Sequence, residues 1–211
     1  QVAIAEFYFN SESENIVESK SLKLYLNSLN QERYKNRETV RSLIENDLSL
    51  VSLCKVKVVI HPLDEIENEA FSARPGRCID HIDVELGARQ PDAELLNIAD
   101  LDADDEILYS DLFRSNCPVT GQPDWASIEL RYTGKKISEP SLLQYLISFR
   151  EHQGYHEECA ERIFRDIMLT CQPSELRVGM NFLRRGGLDI NVYRSTEPVT
   201  SDSVNARLIR Q

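Results

Sequence analysis

Two pairs of amphipathic helices, each set between short apolar runs, constrain this chain more than any other feature of its sequence. In the second half, residues 107–113 and 126–132 have the branched and aromatic content of strands. Ser138-Glu-Pro140 then opens a helix, with the proline near the first turn, where its missing N–H costs little. Leu142, Leu143, Leu146, Ile147 and Phe149 give that helix an apolar stripe, and Gly154 breaks the pattern. A second helix starts at Tyr155, carries Ala160, Ile163, Phe164, Ile167 and Cys171 on one face, and is stopped by Pro173. Residues 176–183 and 188–193 follow as strands around Arg184-Arg-Gly-Gly187. The first half repeats this order without an opening strand: strand 2–9, helices 19–34 and 37–53, then strands 56–60 and 82–86. A hairpin lacking its first strand leaves a sheet edge unpaired, so further residues are expected ahead of Gln1. The pattern predicts an α+β chain of two tandem ββααββ modules, 1–90 and 106–211, joined by an acidic linker at 91–105.

At 211 residues the chain can bury one good core or two small ones. Its net charge of −11 belongs to one segment. Residues 64–106 hold fourteen acidic side chains against three basic ones, and the remainder is balanced at 21 of each sign. Direct nucleic-acid binding is disfavoured, because phosphate contact needs a clustered basic face. No apolar run reaches the length of a membrane span, and residues 1–9 read as a strand rather than a signal peptide. Five cysteines without a repeating spacing fit reduced thiols in a cytoplasm better than a disulfide framework.

Between two strands lies Ser115-Asn-Cys-Pro-Val-Thr-Gly-Gln-Pro-Asp-Trp125. Pro118, Gly121 and Pro123 exclude a helix there and hold Cys117 and Asp124 in a fixed loop. A thiol and an acid so placed suit nucleophilic addition with proton transfer; residue types alone favour a tight turn around a buried cysteine. Glu18 opens the first helix of the first half, and Tyr155-His-Glu-Glu158 the second helix of the second half. Helix N-termini bind anions and polar rings, and a carboxylate there accepts paired N–H donors. Simple capping explains the same glutamates. Lys20 and Lys23 read as solvated charges.

Glu18-Ser-Lys-Ser-Leu-Lys-Leu-Tyr25, the cysteine loop, His156-Glu-Glu-Cys-Ala-Glu-Arg-Ile-Phe164 and Arg184-Arg-Gly-Gly-Leu-Asp-Ile-Asn191 together resemble the NADPH-dependent 7-cyano-7-deazaguanine reductases, the nitrile reductases of queuosine biosynthesis, in their long two-module form. The resemblance covers nearly the whole chain, and four motifs in order make it specific. It implies the tunnelling fold, with antiparallel sheets and helices on one face, and a homodimer. It implies NADPH as cofactor, and 7-cyano-7-deazaguanine as the substrate whose nitrile becomes an aminomethyl group. Cys117 then corresponds to the nucleophile forming a thioimide, Asp124 to the general acid, and His156 to a histidine beside both ligands. Glu18, Glu157 and Tyr155 correspond to substrate-binding positions. Ser19, Lys20, Ser21, Arg184, Arg185, Gly186 and Gly187 correspond to cofactor-binding positions. No metal is implied.

Other readings remain at this level. A zinc enzyme of pterin metabolism on the same fold needs three His or Cys ligands, and His61, His81, His152 and His156 are scattered. A non-catalytic purine-binding module needs the glutamates but not a cysteine–aspartate pair. A thiol nitrile hydrolase would form the same adduct without oxidising NADPH.

Overall fold

The computed structural model describes residues 3–62, 74–85, 87–200, 208 and 211. Tertiary contacts divide the chain into two units, Gln1–Ala70 and Phe71–Gln211. In the first, β1 (Ala3–Tyr8) pairs antiparallel with β2 (Lys57–Pro62), Ala3 opposite Pro62 and Tyr8 opposite Lys57. Between them run α1 (Ser19–Ser28) and α2 (Arg37–Ser52). The helix expected over 19–34 ends early, in a 3-10 turn at Leu29–Gln31. Asn27, Ser28 and Asn30 explain this: their side chains compete for backbone partners, and the Ser28 hydroxyl donates to the Tyr25 carbonyl at 2.6 Å. Asn36 caps α2 by accepting the Thr39 N–H at 2.9 Å, and Leu53 ends it at φ +54°. Leu22, Ile44, Leu48, Val56 and Val58 are buried together, with Phe7, Val40 and Ile60 against them.

The second unit is a mixed α+β layer. Its sheet runs β3 (Arg77–Cys78), β4 (Ile98–Asn116), β5 (Pro123–Ile137), β6 (Glu175–Phe182), β7 (Asn191–Ser195), all antiparallel except the short β3–β4 pair. Ala126, Ile128, Leu130 and Tyr132 of β5 and Leu176, Val178, Met180 and Phe182 of β6 share one core with α3 (Glu139–Ser148) and α4 (His156–Thr170). Their period-two spacing sets both helices on one face of the sheet. The order strand, strand, helix, helix, strand, strand is the one expected for the second half.

Both helix pairs are tied by the same device. Tyr25 of α1 donates its hydroxyl to Asp47 of α2 at 2.6 Å, and Tyr145 of α3 donates to Asp166 of α4 at 2.8 Å. Ser28 and Ser148 each return a hydroxyl to the carbonyl of their tyrosine at 2.6 Å.

Two expectations need correction. Residues 82–85 form no strand; Ile82 and Val84 pack on the second unit's core, and Gln144 of α3 donates to the Glu85 carbonyl at 3.2 Å. Leu86 lies outside the described residues, as do 64–73 of the acidic segment. The linker expected over 91–105 is structured: a 3-10 turn at Ala93–Leu95 leads into β4, which already includes 98–105. Its carboxylates are tolerated in a strand because cations on the partner strand meet them. Lys135 lies 3.0 Å from Asp102, Lys136 3.6 Å from Glu106, and Arg131 is bound by Asp105. Among the described residues, no helix is long and apolar enough to cross a membrane.

Candidate active site

β4 ends at Asn116 and β5 begins at Pro123, so the loop carrying Cys117 is the tip of the central hairpin. The Cys117 N–H donates to the Gln122 carbonyl and the Gly121 N–H to the Cys117 carbonyl, both at 2.8 Å. Gly121 reverses the chain at φ +68°, a conformation that costs glycine little. The loop base is also bound to the segment ahead of α4. Asn116 N–H donates to the His152 carbonyl at 2.8 Å, Gly154 N–H to the Asn116 carbonyl at 3.2 Å, and Asn116 Nδ2 to the Arg150 carbonyl at 3.3 Å. Hairpin tip and helix start are therefore positioned by one set of backbone bonds.

That attachment brings His156, the first residue of α4, to Asp124, with Nε2 3.4 Å from Oδ1. The His156 ring lies on Phe182 of β6 at 3.9 Å between centroids. Arg185, in the turn between β6 and β7, reaches the same Oδ1 at 3.0 Å and also donates to Gln122 Oε1 at 3.5 Å and to the Pro123 carbonyl. Asp124 is 5% exposed. A carboxylate so buried needs partners, and a histidine and a guanidinium supply them.

Burial pushes the Cys117 thiol up, but the Thr120 hydroxyl and the N–H groups of Thr120 and Val119 outweigh it; with the Asp124 charge opposing them, the thiol still lies below its ordinary value. Cys159 of α4 is the contrast: it is fully buried, and that burial pushes its thiol up to about 12. Of the two thiols, only Cys117 has the environment of a nucleophile.

The glutamates divide between capping and freedom. Glu158 accepts the Tyr155 N–H at 2.7 Å and closes the start of α4. Its neighbour Glu157 has no hydrogen bond or ion pair among the described residues, and Tyr155 is exposed beside it. Glu18 caps α1, accepting from Lys20 N–H at 2.9 Å, Ser21 N–H at 2.8 Å and the Ser21 hydroxyl at 3.0 Å. Burial pushes its carboxyl up, yet those donors and the Lys20 charge hold it below the usual range. Ser19 is half-buried, while Lys20 and Ser21 are exposed. Arg184 pairs with Asp189 at 3.4 Å, and Gly186 and Gly187 follow at φ +57° and +87°. Thr120 and the contact of Arg185 with Asp124 escaped the sequence reading: a turn threonine carries no signal of its own, and the arginine reaches Asp124 from a different hairpin. Among the described residues, no three His, Cys, Asp or Glu side chains gather as metal ligands.

Residues 1–60 match the family described as nitrile reductase, 7-cyano-7-deazaguanine-reductase N-terminal, and residues 123–200 match the QueF-like protein family. Fold, thiol loop and these two matches define the class: a mixed α+β oxidoreductase of the nitrile-reductase type. Among curated proteins, the NADPH-dependent 7-cyano-7-deazaguanine reductase of Desulfotalea psychrophila is 48% identical over 212 residues, covering all of this chain and 76% of that protein. The enzyme of the same name from Legionella pneumophila strain Corby is also 48% identical, over 211 residues, all of this chain and 74% of its own length. The chain belongs to the family of NADPH-dependent 7-cyano-7-deazaguanine reductases. The crystal structure of the apo archaeosine synthase QueF-Like overlaps 44% of this chain and 92% of its own at 17% identity and a TM-score of 0.39, too little to carry an argument.

Proposed function

We propose that this chain reduces the nitrile of 7-cyano-7-deazaguanine to an aminomethyl group, a step of queuosine biosynthesis, through a covalent thioimide on Cys117. The observation carrying this reading is the buried Asp124 carboxylate, held by His156 and Arg185 at the end of a loop whose cysteine is acidified. A nitrile is a weak electrophile, and conversion to a thioimide divides one hard reduction into easier ones. As the S–C bond forms, Asp124 takes the Cys117 proton and passes it to the nitrile nitrogen, which gains an electron pair, so the carboxylate is restored. His156 orients that carboxyl through Oδ1, and its stacking on Phe182 fixes the ring. Glu157, uncommitted at a helix start, suits the N–H edge of a 7-deazaguanine ring, with Tyr155 beside it. The resemblance also assigns Glu18 a substrate-binding role, and its cap leaves lone pairs free for one, since a carboxylate accepts about four hydrogen bonds.

NADPH, when bound, supplies the two pairs of reducing electrons that the overall conversion requires. The turn after β6 fits an anionic cofactor. Arg184 and Arg185 are 44% and 42% exposed, and a Cβ built on Gly187 would meet nothing within 4 Å, which leaves the backbone open to close approach. Arg184, Arg185, Gly186 and Gly187 would hold its phosphates; Ser19, Lys20 and Ser21 of the first unit are cofactor-binding positions by the resemblance alone.

The finer architecture belongs to the same reading: a tunnelling fold of tandem ββααββ modules, supported by the element order of the second unit and the matched tyrosine–aspartate ties. A homodimer in the cytoplasm completes it; five free cysteines support a reducing compartment.

The test mixes the protein with 7-cyano-7-deazaguanine and follows intact mass and NADPH absorbance. The expected result is a covalent increment on Cys117, absent in Cys117→Ala, and two NADPH consumed per nitrile. Turnover persisting in Cys117→Ala would sink the covalent route, and an adduct that forms without NADPH oxidation would favour a hydrolase.

A further inference from the structure

Asn116, the residue before Cys117, is committed to a single connection. Its backbone bridges Gln153, donating to the His152 carbonyl at 2.8 Å and accepting from the Gly154 N–H at 3.2 Å. Its side chain makes a separate bond across the same gap, Nδ2 donating to the Arg150 carbonyl at 3.3 Å. Arg114 settles which way the amide points: its guanidinium donates to Oδ1 at 3.1 Å, which leaves the NH2 group for the carbonyl. Arg114 in turn lies over the Trp125 ring at 5.8 Å, on the strand that carries Asp124. The amide therefore joins both strands of the hairpin to the segment ahead of α4.

That segment is an elbow with no slack. His152 packs edge-on against Phe149 at 5.6 Å, and the fully buried Phe149 packs on Phe113 at 5.4 Å. A Cβ on Gly154 would stand 2.9 Å from His152 Nε2. His156 and Glu157 follow as the first two residues of α4, and Cys117 is one residue from the amide on the other side. The two backbone bonds of Asn116 lie along one strand edge and leave the elbow free to pivot about them. The side-chain bond, out of that line, removes the pivot. The amide itself stands apart from the reacting groups. Ser115 and Asp124 are register partners and share one face of the hairpin, and Asn116, one residue on, projects from the other.

We propose that Asn116 is a positioning residue for nitrile addition: its side-chain amide, spanning Arg114 and the Arg150 carbonyl, sets the distance from the Cys117 loop to the start of α4. This rests on the reading of Cys117 as the nucleophile and Glu157 as a holder of the ring. A ring held on α4 presents its nitrile to the sulfur at one spacing, and an error of about 1 Å can cost about 100-fold in rate.

The test measures adduct formation at Cys117 with 7-cyano-7-deazaguanine and no NADPH, by quenched intact mass over a range of substrate concentrations. Wild type, Asn116→Ala and Asn116→Asp are compared, and iodoacetamide alkylation of Cys117 is followed against pH in each. Asn116→Asp keeps an acceptor for Arg114 and loses the donor to Arg150. Rates are compared above each variant's alkylation midpoint, where the thiolate is fully formed whatever charge the substitution adds. Both variants should lower the saturating addition rate about tenfold, the cost of a displacement well under 1 Å, and change the half-saturating concentration less than about threefold. Alkylation above the midpoint should stay within about twofold of wild type, because a small reagent needs nothing on α4 to place it. Wild-type addition rates in either variant would overturn the proposal. So would a fall in alkylation that matches the fall in addition, since the amide would then serve only the fold of the loop. No adduct in the wild type, with normal alkylation, would instead overturn the assignment of Cys117 to nitrile attack.

Discussion

In the proposed mechanism Asp124 hands on a proton that the neighbouring Cys117 sulfur gives up, and the two groups are held by different parts of the fold. The sulfur sits in a turn closed by its own backbone bonds, while the carboxylate takes His156 and Arg185 from other elements. Arg185 grips Gln122, Pro123 and Asp124 with one planar fork, a geometry that a lysine ammonium does not reproduce. Arg185→Lys should therefore slow adduct formation at Cys117 even with no cofactor present, by about tenfold if the lost contact is worth about 1.4 kcal/mol. A residue serving the cofactor alone would leave cofactor-free adduct formation unchanged, so stopped-flow or quenched mass measurement without NADPH decides between the two. The sequence announces Cys117 and Asp124 because two prolines and a glycine fix the loop between them. It does not distinguish Glu157 from Glu158, adjacent and chemically identical, since which one closes the helix depends on backbone geometry at Tyr155.

The helix pairs carry a polar tie inside an apolar stripe. Tyr145 and Asp166 are both buried, and Asp166 keeps only looser contacts, with Arg162 at 3.5 Å and Arg165 at 3.7 Å, once the phenol is removed. Tyr145→Phe should cost about 2 kcal/mol, as expected when a buried acceptor loses its donor. Tyr25→Phe, at a part-buried bond, should cost about 1 kcal/mol. Urea unfolding of the two variants checks the order, and a larger loss in Tyr25→Phe would contradict it. The helices were legible because Leu142, Leu143, Leu146 and Ile147, then Ile163 and Ile167, repeat at helical spacing. Tyr145 sits in the same stripe and reads as one more core residue; its partner on the next helix is invisible to periodicity. β4 was legible only from Ile107 onward. Upstream, its acidic residues look like solvated linker until their partners on β5 are placed opposite them.

The two units rest on unequal cores. The first buries Leu22, Ile44, Leu48, Val56 and Val58, whereas the second gathers residues from four strands and both helices around Phe113, Tyr145 and Phe149. Local stability follows buried apolar contact, so amide exchange should be faster at Val58 and Ile60 of β2 than at Val178 and Met180 of β6. Acid should widen the difference. Glu45 of α2 accepts the Val58 N–H at 2.9 Å and pairs with Arg41 at 2.5 Å; the Val58 bond first, then Arg41 against the opposing effect of burial, holds its carboxyl below the usual range. A carboxyl lowered in the folded state binds its proton more readily in the unfolded one. Its stabilisation is complete above the ordinary glutamate value, about 4.3, and is lost as pH falls through the lower folded value. β2 amides should accordingly lose protection in that acidic window, and Glu45→Gln should remove the part of the pH dependence that Glu45 supplies. Equal acid sensitivity in Glu45→Gln and wild type would mean that another carboxylate, Glu18 foremost, governs the first unit's response.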